Sequence, residues 1–475
     1  MTRPRCGHML PRMAVGIEDR RAYADLERAF GGELVGRDHP AYEAQRRVWN
    51  GSIDRRPALI ARCSDRSDVQ AALAFARRAG MTVAIRGGGH SFPGFSVVDG
   101  GLVIDLGPMK RIDVDPERRL ARAEGGVLLG ELDRATQAHG LAVPLGSVTH
   151  TGIAGLTLGG GFGWLMRKHG LTIDNLLAAE VITADGDVLE ASATENADLF
   201  WGLRGGGGNF GIVTNFTYRL KPVGPMVVSG LVLWALEDGA EVGRFYREWA
   251  LAAPDDLTTA LIVRRAPAVD LIPAELHGRP VICVACCWVG EHDRGEALLR
   301  PMRRFGAPIV DLVGRRPFVE HQGLLDPSFP HGIWIYSKAS DVAALSDGVL
   351  ELILDHGARI RSLRSGVIAW QLGGAVARVG ALDTAFSSTR SGYLVDVLGA
   401  TDSADGFDLE RQWARDCWDA LAPHRTGAYV NWLMDEGDER VREVYGEERY
   451  RRLQAVKRRY DPENVFHLNQ NIVPR

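Results

Sequence analysis

The stretch Arg86-Gly87-Gly88-Gly89-His90-Ser91-Phe92-Pro93-Gly94-Phe95, RGGGHSFPGF, sets a single histidine directly behind three glycines. Three glycines in a row give up backbone entropy and side-chain packing together. The chain tolerates this where its backbone must pass close to something, or must adopt angles that a Cβ atom forbids. A histidine at the end of such a run is aimed at whatever the backbone approaches. The competing reading of the segment is a glycine-rich turn with a solvated histidine.

Upstream lie a strand, ALIARCS, and a capped amphipathic helix, SDVQAALAFARRAG, ended by Gly80. A second strand, MTVAIR, then runs into the glycines. Strand, helix, strand and glycine loop form a nucleotide-binding kind of unit. It differs from the usual dinucleotide fingerprint, because no G-x-G-x-x-G follows the strand and opens a helix. Downstream come the strands GLVIDL, KRIDVD and LARAEGGV, a helix LLGELDRATQAHG, and a hairpin LLAAEVITADGDVLEASA turning at Asp185-Gly186. Two more glycine clusters, at 159–163 and 205–208, lie in the same region. Three clusters in one domain point to a long phosphate-bearing ligand held by backbone amides. Three unrelated tight turns are the alternative.

From about 225 to about 420 the glycine runs mostly stop. Longer helices alternate with strands such as SGLVLWAL, RPVICVACCWVG, SGVIAWQLGGAVARV and SGYLVDVLGA, which reads as a second α+β domain with an antiparallel sheet. The C-terminus is a basic helix, EERYRRLQAVKRRY, stopped at Asp461-Pro462 and followed by a loop.

Composition agrees with two domains. The chain has 475 residues, 45% hydrophobic and 24% charged, as a soluble globular protein does. A net charge of -4 leaves no basic surplus for nucleic acid. No window is long and apolar enough for a membrane span. The first 20 residues carry no signal peptide and read as a flexible extension in which Met13 is an alternative start, so the location expected is the cytoplasm. Of six cysteines, three crowd into CVACC, where alternation puts Cys283, Ala285 and Cys287 on one face. No second cluster completes a metal site, so buried structural thiols are expected, and no metal. The cysteines show no disulfide framework, which suits a reducing compartment.

The segments RGGGHSFPGFSVVDGGLVIDL, GLTLGGGFGWLMRKHGLTIDNLLAAEVITADG, LFWGLRGGGGNFGIVTNFTYRL and YDPENVFHLNQNI, in this order, resemble the FAD-linked oxidases of the berberine bridge enzyme type. That group has the vanillyl-alcohol oxidase / p-cresol methylhydroxylase fold, and the likeness runs from about residue 45 to the C-terminus. It implies an α+β, two-domain FAD-binding fold. Residues 21–224 and the returning segment 421–475 would form the FAD domain, and 225–420 the substrate domain. It also implies that His90 bonds covalently to the 8α-methyl of the flavin, with a non-covalent flavin packed beside His90 as the alternative. FAD contacts would come from Arg86, Gly87, Gly88, Gly89 and Ser91. A second set would be Val148, Thr149, Thr151, Gly152, Gly155, Gly159, Gly160, Gly161 and Gly163. Gly211, Ile212, Val213, Asn469 and Asn471 would complete it.

Many members carry a second, cysteinyl link, in a segment of the form CPTVGVGGHxxGGG. Here the matching stretch is VTHTGIAGLTLGGG, with Val148 at the cysteine's place, so a single link through His90 is expected. By the same likeness Thr151 lines the pocket where dioxygen meets the flavin. His150 beside it resembles members that store oxygen on flavin N5 and oxygenate polyketides; a histidine bonded to backbone is the other reading. For the proton that leaves with the hydride, the family draws on a Y-x-N segment, here Tyr429 and Asn431, and on an acid or glutamine of a substrate-domain strand. In SGVIAWQL the residues Val367, Ala369 and Gln371 share a face without an acid, so Gln371 can orient but not deprotonate. Trp432 stands where relatives often carry a tyrosine. The resemblance implies an oxidase acting with FAD and O2 on a small secondary-metabolite-like substrate, as monomer or homodimer, without nucleic acid or membrane. An oxygenating mode and a redox-silent cyclisation scaffold are the alternatives.

Overall fold

The computed structural model describes residues 17–270 and 272–475. Residues 1–16 of the expected extension, with Cys6 and Met13, lie outside the described residues. The first helix, Ile17–Ala29, starts before residue 21, where that extension was expected to end. It packs through Tyr23 on Phe75 of the helix Arg66–Arg78, ring centroids 6.1 Å apart and edge to face. The helix Arg66–Arg78 forms as its sequence dictates. Asp65 caps it by accepting from the N–H groups of Ser67 and Asp68, and Val69, Ala72, Leu73 and Ala76 give it one apolar face.

That helix covers a four-stranded sheet in the order Glu33–Gly36, Leu59–Arg62, Leu102–Asp105, Val83–Arg86. The last three strands run parallel, so the loop 87–90 leaves from their C-terminal edge, where open α/β sheets bind ligands. A five-stranded antiparallel sheet follows, in the order Ile112–Asp115, Leu120–Glu124, Ile212–Arg219, Leu176–Ile182, Val188–Ser192. Its hairpin turns at Asp185-Gly186 as read, with Gly186 at φ 88°.

The large sheet is built around six antiparallel strands in the order Met226–Ala235, Pro280–Trp288, Leu257–Arg265, Gly366–Gln371, Tyr393–Thr401, Trp334–Val342. One face packs on the helices Gly239–Leu251, His292–Arg303, Asp347–Ala358 and Phe407–Ala420 through Tyr246, Leu299, Ile353 and Trp413. The other face, with Ile262, Cys283, Ile368, Trp370 and Leu394, turns toward Phe162, Trp164 and Tyr429. CVACC is buried on both faces, and burial pushes Cys283 and Cys286 up to about 12, so these thiols pack rather than react.

After residue 420 the chain first adds an edge strand, Arg425–Gly427, to the large sheet. It then crosses to the glycine-loop side. Val441, Tyr445, Leu453 and Val456, from the helices Asp438–Tyr445 and Glu447–Tyr460, share a core with Leu199, Leu203 and Phe210. The side chain of Lys457, fully buried, donates to Asp461 and to the carbonyls of Asn209 and Phe466.

Candidate active site

A single continuous cavity lies between the glycine loops and the large sheet. Gly87, Gly88, Gly89, His90 and Ser91 line it at one side. A Cβ on Gly88 would stand 2.3 Å from the backbone nitrogen of Gly152, so loops 86–90 and 151–155 meet backbone to backbone. Only glycine permits this approach. Arg86 sits behind the loop, bonded to Asp105 at 2.9 and 3.1 Å and to the Gln45 carbonyl, and is not among the lining residues. Its part is to fix the loop's stem.

His90 is held on three sides. The Trp49 ring stacks on it at 4.4 Å and 15°, its Nε2 lies 2.7 Å from His150 Nδ1, and its Nδ1 lies 3.4 Å from Thr151 Oγ1. Burial, then the neighbouring His150 and His331, hold its pKa well below the ordinary value, so the ring is neutral. Nitrogens of His90, His150 and His331 lie within 4.8 Å of one another, a cluster unforeseen in the sequence. The His90–His150 contact of 2.7 Å is a hydrogen-bond length. It is shorter than the roughly 3.3 Å between ligands of a tetrahedral zinc.

Val148, Thr151, Gly152 and Gly155 also line the cavity. Thr149 does not. Its N–H and hydroxyl both donate to Asp326. The cluster 159–163 departs furthest from expectation. Added Cβ atoms would meet Asn431 Oδ1 at Gly159 (2.0 Å), Phe386 at Gly160 (2.5 Å), Thr172 Oγ1 at Gly161 (2.1 Å) and the Leu145 carbonyl at Gly163 (2.2 Å). These four glycines are bare because protein packs on them, and none lines the cavity. From the third cluster Gly206, Gly207 and Gly208 reach the wall, followed by Gly211, Ile212 and Val213. Asn469 lines the wall and Asn471 does not; the side-chain oxygen of each is buried without a partner.

Gly155 and Gly208 test whether the cavity suits a large cofactor. A Cβ on either would meet no protein atom within 4 Å, so packing does not explain their bareness. Both face the cavity. Open space over bare backbone, with the orphaned Asn469 oxygen nearby, fits a nucleotide cofactor lying along the loops.

The far wall comes from the large sheet and the segment after it: Ile368, Trp370, Asp396, Tyr429 and Trp432, with Phe162. Asp396 was missed in the sequence. It stands opposite Ile368 in the strand register and accepts a 2.7 Å hydrogen bond from the Ser337 hydroxyl. Burial, opposed by that bond, pushes its pKa up to about 8. The available signal was a lone charge in an otherwise apolar strand, Tyr393–Thr401. Tyr429 is on the wall, but its hydroxyl accepts from the Gly161 N–H at 3.0 Å and from Asn431 at 2.8 Å, and burial pushes it up to about 12. Asn431 also donates to the Gly155 and Leu156 carbonyls. Gln371 faces away from the cavity. Its amide donates to the Ala250 carbonyl and its oxygen accepts from Thr259, because residues 367, 369 and 371 face the helices. It is a structural residue here.

Residues 57–192 match the family described as FAD binding domain, and residues 428–473 match the one described as Berberine and berberine like. The FAD-linked oxidoreductase YgaK of Bacillus subtilis, itself uncharacterized, is 33% identical over 93% of this chain and 97% of its own. The (R)-6-hydroxynicotine oxidase of Paenarthrobacter nicotinovorans is 30% identical over 93% and 97%. A crystal structure of 6-hydroxy-D-nicotine oxidase from Arthrobacter nicotinovorans superposes with a TM-score of 0.85 at 29% identity, covering 94% of this chain and 98% of that one.

Proposed function

Since the chain belongs to the berberine-bridge-like FAD-linked oxidoreductases, we propose that it is an oxidase: it takes a hydride and a proton from a small substrate and passes the electrons to O2. The observation that carries this reading is Asp396, a buried acid on the wall that faces the glycine loops across one cavity. FAD, when bound, supplies the two-electron acceptor. The chain supplies the rest. Gly87–Gly89, Gly206–Gly208 and the backbone around 211–213 cradle the cofactor. Asp396 Oδ2, which carries no hydrogen bond, receives the proton from the substrate. The Tyr429 hydroxyl, its lone pairs already engaged by Gly161 and Asn431, donates to the substrate and orients it. Tyr429, the proton acceptor that the family resemblance implies, is a phenol pushed up to about 12 and a poor base beside the Asp396 carboxyl, pushed up to about 8.

Attachment is through His90 alone, because Val148 offers no sulfur. With the His150 proton on Nε2, its Nδ1 accepts from His90 Nε2–H at 2.7 Å, and the Nδ1 lone pair of His90 is turned toward the wall at Thr151. That lone pair is the nucleophile attachment needs. Residues 21–224 and the later part of 421–475 serve the cofactor, and 225–420 serve the substrate together with the early part of the returning segment, whose strand Arg425–Gly427 joins the large sheet and whose Tyr429 and Trp432 stand on the far wall. The protein works in the cytoplasm on a secondary-metabolite-like substrate, as a monomer or homodimer; among the described residues no helix is long and apolar enough to cross a membrane.

The test is anaerobic mixing of purified holoenzyme with substrate, then admission of O2. Bleaching of the flavin, recovery on aeration and one H2O2 per substrate are expected. Incorporation of 18O into the product would point instead to an oxygenase, and turnover without bleaching to a scaffold.

A further inference from the structure

The first glycine loop separates two cavities. Gly87, Gly88, Gly89 and Trp49 line the one described above and also a second, behind the loop, whose wall includes Asn50, His331 and Trp334. Three histidines run through this partition. His90 lies on the first cavity, His331 is exposed on the second, and His150 stands between them and lines neither. The His150 ring centroid is 4.7 Å from that of His90 and 4.7 Å from that of His331. The chain on both sides of His331 is pinned to Trp49. The Gly332 N–H donates to the Trp49 carbonyl at 2.9 Å, and the Trp49 indole donates to the Phe329 carbonyl at 3.0 Å. The same indole stacks on His90. His90 points its two nitrogens in opposite directions, Nδ1 toward Thr151 on the first cavity and Nε2 toward His150 Nδ1.

We propose that His90 Nε2, His150 Nδ1 and a nitrogen of His331 form a site for one divalent late transition metal in a tetragonal geometry, open to the second cavity. Imidazole is a donor that suits nickel, copper and zinc, and the spacing decides among them. Ligands about 2.05 Å from a metal stand about 2.9 Å apart at a right angle and about 3.3 Å apart at the tetrahedral angle. His90 Nε2 and His150 Nδ1 are 2.7 Å apart, so the pair opens less for copper(II) or nickel(II) than for tetrahedral zinc. The three nitrogens lie within 4.8 Å of one another. Ligands facing each other across such a metal are about 4.1 Å apart, so a turn of the exposed His331 ring completes the set. Asp326, bonded to Thr149, favours positive charge at His150. The site uses the nitrogen of His90 that flavin attachment leaves alone. A neutral imidazole substituted at Nδ1 carries no proton on Nε2, only the lone pair a metal needs. A cation there draws electron density from the ring that bears the flavin, which should raise the flavin's midpoint potential.

The experiment titrates flavin-loaded protein, without a histidine tag and stripped with EDTA, with Ni2+, Cu2+ and Zn2+. One Ni2+ or Cu2+ per chain should bind, and the Cu2+ complex should give an axial electron paramagnetic resonance signal split by three nitrogens. His331→Ala should weaken Ni2+ by about a hundredfold or more, since losing even an outer partner of a metal site costs about 10- to 100-fold. His139→Ala, which removes an exposed histidine elsewhere, should leave Ni2+ binding unchanged. Both variants should keep the parent's flavin content, which shows that they fold. Ni2+ should raise the flavin midpoint potential of the parent and leave that of His331→Ala where it was. The proposal is overturned if no metal binds at one per chain, if His331→Ala binds Ni2+ within about threefold of the parent, or if Zn2+ binds more tightly than Ni2+. Binding by flavin-free protein alone would overturn it too, because the metal would then need the nitrogen the flavin takes. A potential that ignores Ni2+ in the parent would remove His90 from the ligand set. None of these readings involves substrate, so their failure leaves the oxidase reading untouched.

Discussion

Asp396 carries two predictions with a definite sign. A base works as carboxylate, and a group held near 8 is mostly protonated below that pH. Anaerobic flavin reduction should therefore rise about tenfold per pH unit well below 8 and level off above it. Asp396→Asn should lower reduction by about 10² to 10⁴ and abolish the pH limb, while reoxidation by O2 changes little. Tyr429→Phe removes the acceptor of the buried Gly161 N–H and one of the three acceptors of the Asn431 amide. It should cost about 1–3 kcal/mol of stability and slow reduction far less than Asp396→Asn. If Tyr429→Phe proved the slower variant, the base assignment would be reversed. A third prediction concerns His150. If it takes the Nε2 proton of His90, His150→Ala should slow covalent attachment by about 10²-fold or more while FAD still binds. Time courses of acid-resistant yellow colour after adding FAD to apoprotein would show it, and an unchanged time course would remove His150 from that role.

The helix Ile153–Gly159 shows how an element is shaped by what lies on each side of it. Its end packs through bare glycines on Asn431 and Phe386, whereas Gly155 opens on the cavity. The two kinds of glycine respond oppositely to a methyl group. Gly155→Ala meets no protein atom and should stabilise the apoprotein by about 0.5–1 kcal/mol through helix propensity. It should also lower the FAD content of the purified protein. A melting curve and the absorbance ratio at 280 and 450 nm measure both, and undiminished FAD content would show that the cofactor does not approach this turn. The three glycine clusters look alike as sequence. Two of them face the ligand space and one serves packing, which depends on whether Phe386, Thr172 and Asn431 arrive from elsewhere in the chain.

At the scale of the molecule, the C-terminal segment returns across the cavity and is tied down by Lys457. With no exposed surface, this cation bridges Asp461, the Asn209 carbonyl next to the third glycine cluster, and the Phe466 carbonyl next to Asn469. Lys457→Met would strand the buried Asp461 carboxylate, at about 3–5 kcal/mol. A lower denaturation midpoint with loss of flavin is expected, since both cradle segments hang on the same ammonium group. Flavin binding that survived this substitution unchanged would show that the C-terminal return is not part of the cradle.

The sequence alone determined the elements with strong local causes: the Asp65-capped helix, the Asp185-Gly186 hairpin, the basic helix stopped at Asp461-Pro462, and His90 behind its glycines. The order of motifs was enough for the family and the cofactor. Tertiary structure alone decided which face of a buried strand meets the cavity. In Gly366–Gln371 and Tyr393–Thr401 every residue is buried, so hydrophobicity distinguishes two alternating faces without saying which one packs on helices. Strand register across the sheet sets Asp396 beside Ile368 on the cavity side and sends Gln371 to Ala250 and Thr259. That choice is made by contacts between residues far apart in sequence, and alternation within one strand cannot carry it.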